Sequence, residues 1–135
     1  MSNDLFSFLQ PAGWAPPKGY ANGICAAGRQ IYVAGQIGWN GQGAFETDDF
    51  AAQTEQALSN IVEVLAEAGA KPHHLVRLTW YILDKAEYVE RQKEIGRAYR
   101  RIIGRHYPVM TLVIVAGLLE DRAKVEIEAT AVVPE

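Results

Sequence analysis

Residues 108–133 read PVMTLVIVAGLLEDRAKVEIEATAVV, and the fold turns on how this stretch is understood. Two apolar runs, VMTLVIV and AKVEIEATAV, are separated by Gly117 and a charged tip from Glu120 to Lys124, the pattern of two strands joined by a connection. Val109 to Val115 is almost continuously apolar and rich in β-branched residues, as expected of a strand covered on both faces. The second run alternates, with Val125, Ile127, Ala129 and Ala131 on one face and Glu126, Glu128 and Thr130 on the other. Two carboxylates leave the sheet on the same side. Such a face beside a wholly apolar strand suggests a subunit interface or a ligand cleft, the alternative being an ordinary solvated face.

Upstream, Tyr20 to Cys25 and Gln30 to Gln36 predict a hairpin about Ala27 and Gly28, with Ile31 and Val33 on one face. Gly35 ends the second strand, where a missing side chain permits close approach of a ligand or backbone, or simply a bend or bulge. The Gly-rich connection GWNGQGAF at 38–45 carries Trp39 and lacks any phosphate-cradling glycine pattern, so a mobile loop is expected. Asp48 or Asp49 can cap a helix whose apolar residues Phe50, Ala57, Leu58, Ile61, Val62 and Leu65 recur at three- and four-residue spacing. Gly69 ends it and Pro72 prevents its restart. His73 and His74 follow as surface residues, because two adjacent histidines without a third ligand make a poor metal site.

The strand from Leu75 to Leu83 sets Val76, Leu78, Trp80 and Ile82 against Arg77, Thr79 and Tyr81. If the polar face coincides with that of Glu126 and Glu128, Arg77 would form a salt bridge there, since a charge on a covered face requires a partner. Asp84 can cap a second helix with Tyr88, Ile95, Tyr99, Ile102 and Ile103 inward. Arg97, Arg100, Arg101 and Arg105 gather toward its C-terminal end, where cations complement the helix dipole.

The motifs GYANG at 19–23, IYVAGQIG at 31–38, AGA at 68–70, LVRLTWYILD at 75–84 and the closing VEIEATAV, in this order and spacing, resemble the RidA/YjgF family of reactive-intermediate deaminases, also called the endoribonuclease L-PSP family. The resemblance covers residues 17–133. It implies a chorismate-mutase-like α+β domain, a single sheet with two helices on one face, assembled as a homotrimer with a small-molecule ligand in each intersubunit cleft. It implies hydrolysis of an enamine or imine without cofactor or metal, with Glu128 positioning the attacking water. It also places Tyr20, Gly35, Gln36 and Trp39 around the cleft. Deaminating members carry, two residues after the strand-opening proline, an arginine held to clamp the substrate carboxylate. Here that position is Met110, which marks an arginine-lacking branch, because a thioether cannot form the bidentate pair of a guanidinium. Arg77 is a candidate replacement. The substrate would then lack the usual carboxylate geometry, and a noncatalytic binding trimer of the same fold is the alternative.

Bulk properties set the frame. A chain of 135 residues, 49% hydrophobic and 21% charged, fits one domain with a real core. Residues 1–18, broken by Pro11, Gly13, Pro16 and Pro17, form a lead-in that packs along the surface or a neighbour, and residues 19–135 form the domain. A net charge of -3 offers no general attraction for nucleic acid, which leaves the arginine cluster as the lone argument for RNA. No apolar run reaches the roughly 18 residues of a membrane span. No secretory leader is recognisable and Cys25 is alone, which makes a cytoplasmic setting the expectation, with Cys25 a buried, inert thiol.

Overall fold

The computed structural model describes residues 6–135. Among these residues, besides a 3-10 turn at Pro72–His74, the strands and α-helices run β1 (Phe6–Leu9), β2 (Gly23–Ala26), β3 (Arg29–Ile37), α1 (Phe50–Glu67), β4 (Leu75–Ile82), α2 (Lys85–Glu90), α3 (Gln92–Ile102), β5 (Val109–Ile114) and β6 (Val125–Val133). Residues 108–133 supply two strands, but they are not neighbours. The main sheet has the order β3-β6-β4-β5, so β4 runs between them. β5 is parallel to β4, as a strand returning through a helical crossover must be, while β6 is antiparallel to β3 and β4.

The hairpin expected about Gly28 does not form. β2 pairs instead with β1 as a separate two-stranded ribbon, and the lead-in contributes that outer strand. Gly28, at φ 144°, lies against the Val133 carbonyl, which a Cβ would approach to 2.2 Å, so the chain there makes a tight entry into β3. The ribbon joins the main sheet through a parallel bridge from Ala21 to Val109, with Ala21 N donating to the Pro108 carbonyl at 3.0 Å. Cys25 is exposed, because the ribbon carrying it has no second layer over that side. The first five residues of the lead-in lie outside the described residues.

Asp49, not Asp48, caps α1, accepting from Ala52 N at 2.9 Å; Asp48 pairs with Arg122 instead. Gly69 takes the left-handed conformation just past the helix, at φ 72°. The helix buries Phe50, Leu58, Ile61 and Leu65 against Leu78, Ile82, Val125 and Ile127 of the sheet. The second helix is two segments, broken at Arg91, whose guanidinium bridges Asp49 and Glu94. Asp84 caps the first segment and accepts from Glu87 N. A bulge at Leu75/Arg77 puts Leu75 rather than Val76 into the core row with Leu78, Trp80 and Ile82.

All of this helical packing lies on one side of the main sheet. The opposite side carries Arg77, Thr79, Tyr81, Glu126, Glu128, Thr130 and Tyr32, the last 71% exposed. The apolar edge strand β5 is therefore not covered on both faces within one subunit: Val113 and Ile114 remain exposed.

Candidate functional site

Across the uncovered face the register aligns Thr111 of β5, Thr79 of β4 and Glu128 of β6 in one row. The next position of that row, on β3, falls in the irregularity between Val33 and Gln36, which contains Ala34 and Gly35. The neighbouring row aligns Val113, Tyr81 and Glu126. Tyr81 reaches diagonally across and its hydroxyl donates to Glu128 Oε1 at 2.5 Å. That bond, then partial burial and the charges of Glu128 and Glu126, hold the Tyr81 phenol above its ordinary range, so it remains a protonated donor at neutral pH.

Gly35 serves the same cluster. A Cβ there would fall 2.1 Å from Glu126 Oε2, so the Glu126 side chain lies over the glycine. Two carboxylates thus stand side by side on a half-buried surface. Among the described residues neither forms an ion pair, and neither does Arg77. The salt bridge expected of Arg77 is absent: its cross-strand partners are Val109 and Thr130, one row away from Glu128, and Tyr81 holds the glutamate instead.

Arg77, Tyr20 and Met110 do come together. They line a groove of about 450 Å³ between β5 and the ribbon, beside Thr111 and Thr130. Met110 pairs with Leu78, a core-row residue, and its side chain packs on the helical side of the sheet. It therefore stands on the opposite face from Glu128, at the strand edge where the groove meets a second cavity beneath the helices.

Gln36 and Trp39 are placed elsewhere. They border a recess against α1 with Asn60, Glu63 and Glu67, because the bulge in β3 turns Gln36 away from the side occupied by Gly35. The 38–45 connection is tied down rather than loose. Trp39 bridges and packs on Phe45, the Asn40 side chain accepts from Gln42 N and Ala44 N, and Asn60 Nδ2 donates to the Trp39 carbonyl at 2.8 Å.

Sequence reasoning overlooked Tyr81 as a site residue, although the alternation of LVRLTWYI already put it on the polar face. It also missed Lys18, Trp80 and Tyr88 around Met110, which only the crossover of α2 and α3 over β4 brings together. Among the described residues no three His, Cys, Asp or Glu side chains are grouped to hold a metal ion, and no helix is long and apolar enough to cross a membrane.

An α+β domain whose helices cover one sheet face, with a carboxylate cluster on the other, defines the structural class. Residues 12–133 match the Endoribonuclease L-PSP family, and the chain belongs to it, the family of RidA and YjgF. The 2-iminobutanoate/2-iminopropanoate deaminase of Escherichia coli K12 is 30% identical over 135 residues, covering 98% of each chain. A crystal structure of a Rid family protein of unknown function, YyfB from Yersinia pestis, superposes with a TM-score of 0.82 at 30% identity, covering 96% of this chain and 99% of that one. Escherichia coli TdcF with bound serine superposes with a TM-score of 0.66 at 29% identity, covering 89% and 91%.

Proposed function

We propose that the protein is a hydrolytic deaminase of a reactive enamine or imine, recognising its substrate differently from relatives that use a clamp arginine. The carrying observation is the Tyr81–Glu128 pair. A carboxylate fixed by a neutral donor on one oxygen keeps its other oxygen free to orient a water, and an imine carbon is electrophilic enough that orientation is most of what hydrolysis demands. Attack of that water on the C=N carbon gives a carbinolamine, and its collapse to the carbonyl expels ammonia. Glu128 would carry one proton from the attacking water to the nitrogen on addition and a second from the carbinolamine hydroxyl to the departing amine on collapse, so both water protons leave in ammonia and the step needs no redox partner.

Met110 and Glu128 lie on opposite faces of one sheet, so a site using both positions requires a second subunit brought against the β5 edge. The bare face and the exposed Val113 and Ile114 support such an assembly, which we take to be a homotrimer with a ligand cleft at each junction. The deaminase name of the Escherichia coli relative supports the reaction class. The alternative, a noncatalytic binding trimer, is favoured by Met110, which leaves that cleft position without a charge.

Ammonia release from freshly generated 2-iminobutanoate, measured for wild type and Glu128→Gln, tests the reading. Turnover by wild type that the variant loses supports it. Absence of turnover by wild type counts against the deaminase reading and in favour of the noncatalytic alternative.

A further inference from the structure

Beneath α2 and α3 lies a cavity of about 430 Å³, within the size range of small-molecule sites. Its wall is aromatic: Trp80, Tyr88, Tyr99 and Tyr107 line it together with Met110. Tyr99 and Tyr107 are stacked at 5.5 Å between centroids, and the Tyr99 hydroxyl donates to the His106 carbonyl at 2.6 Å, so this part of the wall is fixed in place. Trp80 is 4% exposed, and among the described residues nothing accepts from its indole Nε1–H. That N–H is closed off from the surface, so it does not point into the open cavity, and Trp80 serves there as part of the aromatic wall.

The charges around the cavity are of one sign. Lys18 and Arg100 line it, no aspartate or glutamate does, and neither cation forms an ion pair among the described residues. Arg100 sits one turn after Gly96 and its guanidinium lies back over that residue, Nη1 standing 3.4 Å from where a Cβ would be. A doubly cationic aromatic cavity in a chain of net charge -3 is a local specialisation.

From these features we infer that this cavity binds an aromatic carboxylate, its ring against Tyr88, Trp80 and Met110 and its carboxylate on Lys18 and Arg100. The proposal deepens the deaminase reading, since it makes the preferred substrate the imine of an aromatic 2-oxo acid. An arginine at position 110 would project a charge into the space the ring requires. Methionine instead offers a polarizable, adaptable thioether to an aromatic face. Anion recognition has moved from β5 to the cavity rim.

The test uses calorimetric titration of the full chain with 3-phenyl-2-oxopropanoate, pyruvate and uncharged 3-phenylpropanol, alongside ammonia release from 2-iminobutanoate. The aromatic anion is expected to bind at least about tenfold more tightly than either control, and Lys18→Gln with Arg100→Gln to lose about tenfold without change in the circular dichroism spectrum. Equal affinity for phenyl and methyl probes overturns the proposal, as does a preference that survives the double substitution. Binding of the aromatic anion by a protein that turns over no imine leaves the proposal standing and removes the deaminase reading. Turnover of 2-iminobutanoate without aromatic preference does the reverse.

Discussion

The Tyr81 hydroxyl donates to Glu128 Oε1 at 2.5 Å, although the residue facing Tyr81 across the strands is Glu126. The bond is therefore a diagonal one, and Glu126 is left to lie over Gly35. Positioning by Tyr81 predicts that Tyr81→Phe lowers ammonia release about tenfold and Glu128→Gln by about a hundredfold or more. The phenol pKa is raised, so the contribution of this bond is fully present below the ordinary tyrosine pKa and is lost as pH rises through the raised value. Absorbance titration of wild type should show two tyrosines ionising late, Tyr81 and the buried Tyr99, and Glu128→Gln should return one of them toward the others. An unchanged titration in the variant sinks the assignment.

Met110→Arg separates the two ways of holding an anion. The new guanidinium enters a cavity that already holds Lys18 and Arg100 and has an apolar wall. Its expected cost is about 1–3 kcal/mol of stability in urea unfolding, through crowding and like-charge repulsion. Turnover of 2-iminobutanoate should nonetheless rise relative to wild type, because a bidentate donor is restored at the sheet edge. A fully stable variant with unchanged substrate preference contradicts this account of the cavity.

The α+β class and the functional strand were legible because β6 alternates strictly and α1 repeats its apolar residues at helical spacing. The partner of β5 was not. An apolar β-branched run states only that it wants cover, and whether β6 or β4 lies beside it depends on the crossover through α2 and α3, which no local pattern encodes. β2 misled for a related reason: Gly28 marks a turn, but the preference of Gly23–Ala26 for Phe6–Leu9 over Arg29–Ile37 is settled by the tertiary bridge from Ala21 to Val109. At the site, residue alternation assigned Glu128 and Arg77 to one face correctly. Gly35 and Gln36 are adjacent and so face opposite sides, and the bulge before them, which shifts every later residue by one face, puts Gly35 on the carboxylate side and Gln36 on the helical side.

Gln53 is fully buried within α1 and yet polar on three counts. Its Nε2 donates to the Thr47 and Arg122 carbonyls at 3.1 and 3.0 Å, and its Oε1 accepts from Lys124 N at 2.9 Å. One side chain thus fastens the helix entry to the start of β6. Gln53→Leu keeps the bulk and removes all three partners, leaving backbone groups unpaired; the expected loss is about 3 kcal/mol in urea unfolding. A loss below about 1 kcal/mol would mean that water reaches these groups and the clip is dispensable.

His106 joins three parts of the fold, since its Nε2 bonds the Leu75 carbonyl at 2.7 Å, its own carbonyl accepts from Tyr99, and its ring meets Phe8 of β1 edge-on. A carbonyl only accepts, so Nε2 carries the proton in this bond. Burial lowers the His106 pKa, against the opposing effect of the Leu75 carbonyl, and His74 is lowered as well, chiefly by burial. The unfolded chain then binds more protons than the folded one below the ordinary histidine pKa. Stability is fully present above about pH 6.5 and is lost as pH falls toward the depressed values. His106→Gln can still donate to Leu75 but cannot titrate, so urea unfolding between pH 7 and pH 5 should show a shallower decline than wild type, with the remainder due to His74. Parallel pH profiles for the two proteins would show that His106 is not the linked group.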